Sequence, residues 1–193
     1  MVVLNVTADM KRIFIAIKVY PGEHLMGMLT SFQKELIKES IKWTDPGNIH
    51  ITLSFLGDTE ESLIKAISND LRQRCFGFAA YDLILSGAGI FKKQGDPKVI
   101  WTGIGQSDKL NALNEIVKKG LDEVGVELEN RPFRPHLTLG RIRSLKEPGT
   151  LEALIDRYKN IELQKVSVNE VILYESILRR EGSLYKPVDK FIL

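Results

Sequence analysis

Two short phrases of one pattern, IHITLSFLG at residues 49–57 and PHLTLGRIR at residues 135–143, constrain the fold of this chain more than any other feature. Each phrase follows a strand-like run and then a helix-like run. Strand, helix and phrase therefore occur twice in the same order, about 90 residues apart. No linker or low-complexity segment separates the copies. The chain is predicted to form two lobes of one domain, with the two phrases on facing strands.

Apolar spacing predicts the remaining elements. The run RIFIAIKV at 12–19 predicts a strand buried on both faces. Spacings of three and four predict helices over 23–40, over 60–74, from Ser107 or Asp108, and near 150–159. Further strands are predicted at 78–91, 98–104, 164–178 and 182–193, the last two as a hairpin.

These elements predict an α+β fold. We expect a bilobal chain in which two mainly antiparallel β-sheets face a central cleft, with the helices on the outside. Residues 10–193 are predicted to be a single domain, and residues 1–9 an N-terminal extension.

Composition excludes several classes of protein. No apolar run approaches the roughly 18 residues of a membrane-spanning helix. The apolar run VVLNV near the start lacks the basic flank of a signal peptide, so a cytosolic location is expected. The single cysteine, Cys75, excludes an internal disulfide and a multi-cysteine zinc site. The net charge is only +2, but four arginines surround the second phrase: Arg131, Arg134, Arg141 and Arg143.

Each phrase places a histidine and a threonine on one face of its strand, because side chains of a strand alternate between faces. His50 and Thr52 share one face, as do His136 and Thr138. Chance would place threonine two positions after two of the three histidines about once in 200 such compositions. A single such histidine would be read as an ordinary core or surface residue, and His24, which has no such threonine, is read that way. The pair predicts a site.

Two converging imidazoles could bind a metal ion or work as an acid and a base. A metal usually needs three or four ligands, and neither phrase supplies further ones. Free histidine titrates near pH 6.5, so at neutral pH one ring can accept a proton while the other donates one. With two hydroxyls and an arginine to hold the oxygens, this set suits in-line attack on a phosphodiester. Acid–base chemistry is therefore the preferred interpretation.

At this level of detail the chain resembles the two-histidine (2H) phosphoesterases, and within them the RNA 2′,3′-cyclic phosphodiesterases, also called 2′-5′ RNA ligases. The resemblance begins near Met10 and rests on five segments: RIFIAI, NIHITLSFLG, PKVIWTGI, RPFRPHLTLGR and LYES. It implies the 2H phosphoesterase fold and hydrolysis of a 2′,3′-cyclic phosphate at an RNA end, leaving a 2′-phosphate. The implied partner is RNA with such ends, tRNA fragments among them. No metal, cofactor, membrane or protein partner is implied.

The resemblance also implies residue roles. His50 matches the proton donor to the leaving 3′-oxygen, and His136 matches the base that activates water. The phosphate-holding side chains are matched by Thr52, Thr138 and Arg141.

Alternation leaves one difficulty, because it puts Arg141 on the face opposite His136. Arg141 can reach the phosphate only if the strand bulges or ends at Gly140. By alternation Arg134 lies on the same face as His136, but Pro135 stands between them. Arg134 is therefore the second candidate for binding the phosphate. By alternation Phe55 lies on the core-facing side of its strand and is expected to pack inward. The alternative is that its ring stacks on a base of the substrate.

Two other functions remain open. The same fold could join or cleave 2′-5′ linkages, or it could be a non-catalytic module that binds a nucleotide or an RNA end. The completeness of both phrases argues against the second option.

Overall fold

A computed structural model describes residues 10–128, 132–180 and 182–193. The predicted extension at 1–9 and Arg131 lie outside these ranges. In these ranges the strands are β1 Met10–Lys18, β2 Ser40–Trp43, β3 His50–Glu60, β4 Tyr81–Lys93, β5 Asp96–Ile104, β6 His136–Ser144, β7 Glu162–Val168, β8 Glu170–Leu178 and β9 Ser183–Ile192. The helices are α1 Glu23–Glu35, α2 Glu61–Cys75, α3 Asp108–Glu123 and α4 Pro148–Tyr158.

The strands form one sheet in the order β7-β4-β5-β6-β3-β1-β8-β9, and β2 adds to β6. All the pairings are antiparallel, so the predicted α+β class and antiparallel pairing are confirmed. The order has an approximate twofold arrangement in which β1, β3, β8 and β9 correspond to β5, β6, β4 and β7. The two expected sheets are joined into one path, through a single described ladder pair between Ile51 and Leu137.

The helices cover one face of this sheet because their apolar residues recur every three or four positions. Helix α1 buries Leu25, Met28, Leu29 and Phe32, and full burial of such a side chain contributes about 1.5–3 kcal/mol. Strand β1 is buried on both faces, as predicted. Ile13, Ile15 and Ile17 lie in the main core, whereas Phe14 and Ala16 pack on the other side with Ile172 and Tyr174.

One predicted strand is wrong. The run 164–178 forms two strands, which Asn169 separates. The two strands lie in opposite halves of the strand order. Strand β7 pairs with β4, whereas β8 pairs with β1 and with β9. The main-core positions change from Val166 and Val168 before Asn169 to Val171 and Leu173 after it, so the alternation shifts by one residue there. Alternation carries no information about which strand will be the partner. The predicted hairpin with 182–193 is confirmed for β8 alone.

The segment after α1 also differs from the prediction. Helix α1 ends at Glu35 rather than near residue 40, and the unpredicted strand β2 follows it. Strand β2 places Trp43 beside Gly140 of the second phrase. No helix in the described part of the chain is long and apolar enough to cross a membrane.

Candidate active site

The two phrases lie side by side at the centre of the sheet, since β3 and β6 are antiparallel neighbours. His50 is the first residue of β3 and His136 the first of β6. The pair Ile51–Leu137 sets a register in which position 50 lies on the side of position 138, and position 52 on the side of position 136. Each histidine therefore lies across the strand pair from the threonine of the other phrase, on the same face of the sheet.

Both imidazoles are held in the same way. Nδ1 of His50 lies 2.6 Å from the carbonyl oxygen of Asn48, and Nδ1 of His136 lies 2.8 Å from that of Arg134. A carbonyl oxygen can only accept, so Nδ1 is the donor in both rings. Nε2 is therefore the nitrogen of each histidine that is left to take up or release a proton.

The environment favours the neutral form of both histidines. Burial lowers the pKa of His50, and the positive charges of Lys18, His136 and Arg141 lower it further. Burial likewise lowers the pKa of His136, with a contribution from Arg141. The backbone carbonyls partly oppose these effects. Arg141 therefore acts electrostatically on both rings, and the charge of His136 also acts on His50.

A β-bulge brings Arg141 to the side of the histidines. Thr138 pairs with Trp101 of β5 and Gly140 with Ile100, so Leu139 is an extra residue in β6. Beyond it, Arg141 pairs with Val99, which lies on the same face of β5 as Trp101. The bulge that Arg141 needs to reach this face is therefore present, at Leu139 beside Gly140. A side chain at Gly140 would approach the ring of Trp43 to about 2.9 Å, so this position needs a glycine.

An equivalent bulge in β3 changes the position of Phe55. Thr52 pairs with Ala16 and Ser54 with Ile15, so Leu53 is the extra residue. Phe55 then pairs with Phe14 on the face of His50, and its side chain is 68% exposed. The prediction that Phe55 packs inward is wrong because simple alternation ignored this bulge. The sequence did contain a signal for this bulge. HITLSF at 50–55 and HLTLGR at 136–141 align without a gap, so Phe55 occupies the position that is equivalent to Arg141.

Different donors hold the two bulges. The carbonyl oxygen of Leu139 accepts a hydrogen bond from the backbone N–H of Thr44, just after β2, at 2.8 Å. The carbonyl oxygen of Leu53 accepts one from the side-chain amide of Asn114 in α3, at 2.9 Å. Asn114 is completely buried, and its Oδ1 has no described partner. The sequence analysis missed Asn114, although an amide within the apolar stripe of Leu110, Leu113 and Val117 was the available signal.

Aromatic rings surround the first histidine. The ring centroids of Phe14 and Tyr185 lie 5.1 and 5.2 Å from that of His50. Tyr174 stacks on Phe14 at 5.2 Å. On the other side of the site, Phe91 meets His136 edge-on at 4.7 Å. The segments RIFIAI and LYES contain Phe14 and Tyr174, but sequence analysis gave neither ring a role. Phe91 in β4 and Tyr185 in β9 lie outside the five segments that carry the resemblance.

The remaining candidates are placed less centrally. Arg134 contributes its backbone carbonyl to His136, and its side chain is exposed. His24 is exposed on α1. No group of three or more histidine, cysteine, aspartate or glutamate side chains that could hold a metal ion occurs within the described ranges.

Known proteins share this sequence and this architecture. The RNA 2′,3′-cyclic phosphodiesterase of Thermotoga maritima is 32% identical over 177 residues, which cover 91% of each chain. The protein of the same name from Methanothermobacter thermautotrophicus is 31% identical over 156 residues, 79% of this chain and 83% of its own. The crystal structure of E. coli LigT complexed with 3′-AMP has a TM-score of 0.76 at 25% identity, covering 96% of this chain and 99% of that one. The profile of the 2′-5′ RNA ligase superfamily matches residues 44–178, a segment that contains both histidine phrases, and this chain therefore belongs to that superfamily.

Proposed function

We propose that this protein hydrolyses 2′,3′-cyclic phosphates at RNA ends and leaves 2′-phosphomonoesters. The observation that carries the proposal is the pairing of β3 and β6, which places two identically held imidazoles beside two hydroxyls and one guanidinium. The relatives named RNA 2′,3′-cyclic phosphodiesterase support the substrate class.

The reaction follows from the two free Nε2 atoms. Nε2 of His136 takes a proton from water as the water oxygen attacks phosphorus. The bond from phosphorus to O3′ breaks, and protonated His50 gives its proton to the leaving O3′. The product keeps the phosphate on O2′, and exchange of protons with solvent resets both rings. No metal ion is needed for any of these transfers.

Three other side chains stabilise the charge that develops on phosphate. The hydroxyls of Thr52 and Thr138 donate to the non-bridging oxygens, and Arg141 supplies the positive charge. Arg134 is kept as the second candidate, because its side chain is exposed and its backbone carbonyl holds His136.

The lowered pKa of His50 has a direct consequence for this mechanism. A proton donor must be protonated in the complex, yet Lys18, His136 and Arg141 disfavour its charged form in the free protein. A bound phosphate anion offsets those positive charges and raises the pKa of His50. Binding of the substrate therefore favours the protonated form of His50, which is the form that donates the proton.

Phe55 gives the RNA end a surface for its base. Its exposed ring lies 6.0 Å from the ring of Phe14, beside a cavity of about 230 Å³ that Arg12 and Tyr185 also line. A flat exposed ring accepts any base face, so RNA ends of any sequence, including tRNA fragments in the cytosol, fit this site.

The decisive experiment uses a short RNA with a 2′,3′-cyclic phosphate in the presence of EDTA. A 2′-phosphate product from the purified protein, absent with a His50→Ala/His136→Ala variant, is the expected result. Activity that EDTA abolishes and zinc restores would replace this mechanism with a metal-dependent one. Tight nucleotide binding without turnover would favour a non-catalytic module.

A second reaction at the same site is favoured by the superfamily profile, whose name is 2′-5′ RNA ligase. If the 5′-hydroxyl of another RNA replaces water as the attacking group, the P–O3′ bond still breaks and a 2′-5′ linkage forms. Mapping the linkage and end groups of the products in the presence of a 5′-hydroxyl RNA distinguishes joining from hydrolysis.

A further inference from the structure

A second cavity adjoins His50 on the flank away from Phe55. It measures about 220 Å³, and its lining includes Lys18, Tyr20, Asn48, Tyr185 and Lys190. Lys18 is the direct ladder partner of His50 across β1 and β3, so the two side chains leave the same face about 5 Å apart at Cβ. The cavity therefore begins beside the proposed proton donor.

Lys18 contributes a positive charge to the lining of this cavity. Its Nζ donates to the carbonyl oxygen of Gly47, and within the described residues no carboxylate oxygen lies within 4 Å of it. Burial lowers its pKa, which the charge of Asp45 only partly offsets. A half-buried ammonium group held by a neutral carbonyl is a site where an anion gains a charge-assisted hydrogen bond.

A second lysine lies on the same face. One row of paired residues crosses the sheet from β9 to β3, and its members share a face. The row consists of Lys190, Ile172, Ala16 and Thr52. The ammonium of Lys190 lies 3.4 Å from both carboxylate oxygens of Glu170, a contact that steadies the side chain at the rim. Asn48 donates to the carbonyl oxygen of Ser183 at 2.8 Å, which ties the turn before β3 to β9.

The covalent structure of RNA says what should occupy this flank. His50 is proposed to protonate O3′, and O3′ is bonded to C3′, whose neighbour C4′ carries C5′, O5′ and the phosphate of the preceding nucleotide. The base is attached at C1′, on the other side of the ribose. A sugar with its base at Phe55 and its O3′ at His50 therefore directs its 5′-phosphate into the cavity of Lys18 and Lys190.

We propose that this cavity is a subsite for the phosphodiester, or 5′-phosphate, on the 5′ side of the terminal nucleotide. The inference rests on the proposed function and adds to it a preference for RNA ends over isolated cyclic nucleosides. Lys18 and Lys190 supply the charge, and Tyr20 and Tyr185 supply the walls against the connecting sugar.

The test compares two substrates that differ only in this group: adenosine 2′,3′-cyclic phosphate with and without a 5′-phosphate. The native protein should favour the 5′-phosphorylated one by about tenfold in kcat/KM. Lys190→Met should lose most of that preference and keep its rate on the substrate without the 5′-phosphate. Lys186→Met, an exposed lysine of the same strand outside the cavity, is the matched control and should retain the preference. Equal rates on both substrates, or an unchanged preference in Lys190→Met, would overturn the subsite.

A binding measurement separates this inference from the proposed function. Calorimetry with adenosine 2′-phosphate and adenosine 2′,5′-bisphosphate needs no turnover. Tighter binding of the bisphosphate that Lys190→Met abolishes would support the subsite even if neither cyclic substrate were hydrolysed. Equal binding of the two nucleotides by a hydrolytically active protein would contradict the subsite alone.

Discussion

Strands β3 and β6 use the same backbone arrangement to present different chemistry. In each, a histidine is fixed by the carbonyl two residues earlier, and one extra residue follows the threonine. The bulge then delivers Phe55 on one strand and Arg141 on the other. The comparison shows that the histidine–threonine arrangement is duplicated, whereas the residue after each bulge differs, an aromatic ring on β3 and a guanidinium on β6.

The largest expected loss of activity concerns the two histidines, which β3 and β6 hold in the same way. His50→Ala and His136→Ala should each lower kcat on a cyclic-phosphate RNA by about 10²–10⁴-fold, because each removes one of the two proton transfers. His24→Ala, at the exposed third histidine, is the control and should be fully active. Loss of activity in only one of the two strand variants would break the equivalence of the strands.

Arg141→Met should have the next largest effect. Without its charge, kcat/KM should fall by about 10–100-fold on every substrate, whatever its base, since only phosphate stabilisation is lost. Arg143→Met removes a neighbouring exposed arginine and should change little. If Arg134→Met were the damaging variant instead, the charged half of the site would belong to Arg134.

Phe55→Ala should act more selectively. Base stacking contributes about 1–3 kcal/mol, so KM should rise about tenfold while kcat stays near its native value. Phe55→Tyr keeps a flat ring and should retain the native KM. A fall in kcat without a change in KM would remove Phe55 from base recognition.

Asn114→Leu tests the part of the β3 bulge that has no side-chain counterpart in β6. It leaves the buried carbonyl of Leu53 without its donor, which should lower the free energy of unfolding by about 1–3 kcal/mol. If Asn114 positions Phe55, KM should rise a few-fold in the native background and remain unchanged in a Phe55→Ala background. Denaturant unfolding measures the loss of stability, and a double-mutant cycle with Phe55→Ala measures the effect on KM. Additive effects of the two substitutions on KM would show that Asn114 has a purely structural role.

The smallest effect is a shift in the pH profile. Activity should rise as His136 loses its proton and fall as His50 loses its own, and the two limbs belong to a coupled pair. Positive charge disfavours a protonated imidazole, so Lys18→Met should raise the pKa of His50 and move one limb of the kcat/KM profile to higher pH. Lys18 is not among the charges that act on His136, so the other limb should stay in place. Arg141→Met should move both limbs upward, and identical profiles for the two variants would contradict this assignment. A substrate without a 5′-phosphate keeps the second cavity out of the measurement.

Sequence reasoning predicted the parts of this site that depend on local periodicity. Alternation placed each histidine beside its threonine, and the need for Arg141 to reach phosphate pointed to a break at Gly140. The same reasoning failed at Phe55, because Ser54 gives no such warning of a bulge. It also could not identify the partner of Asn114 or the partner change at Asn169, since both depend on contacts between segments far apart in the chain.

The single ladder pair between Ile51 and Leu137 has a consequence for how such a chain can evolve. Antiparallel pairing about a central pair is the geometry of a symmetric dimer, in which one surface meets its own copy. Two identical half-length chains joined in this way would carry the same residue at both bulges, either two phenylalanines or two arginines. When both halves are encoded in one polypeptide, a mutation can alter one copy alone, and this chain holds one residue of each kind.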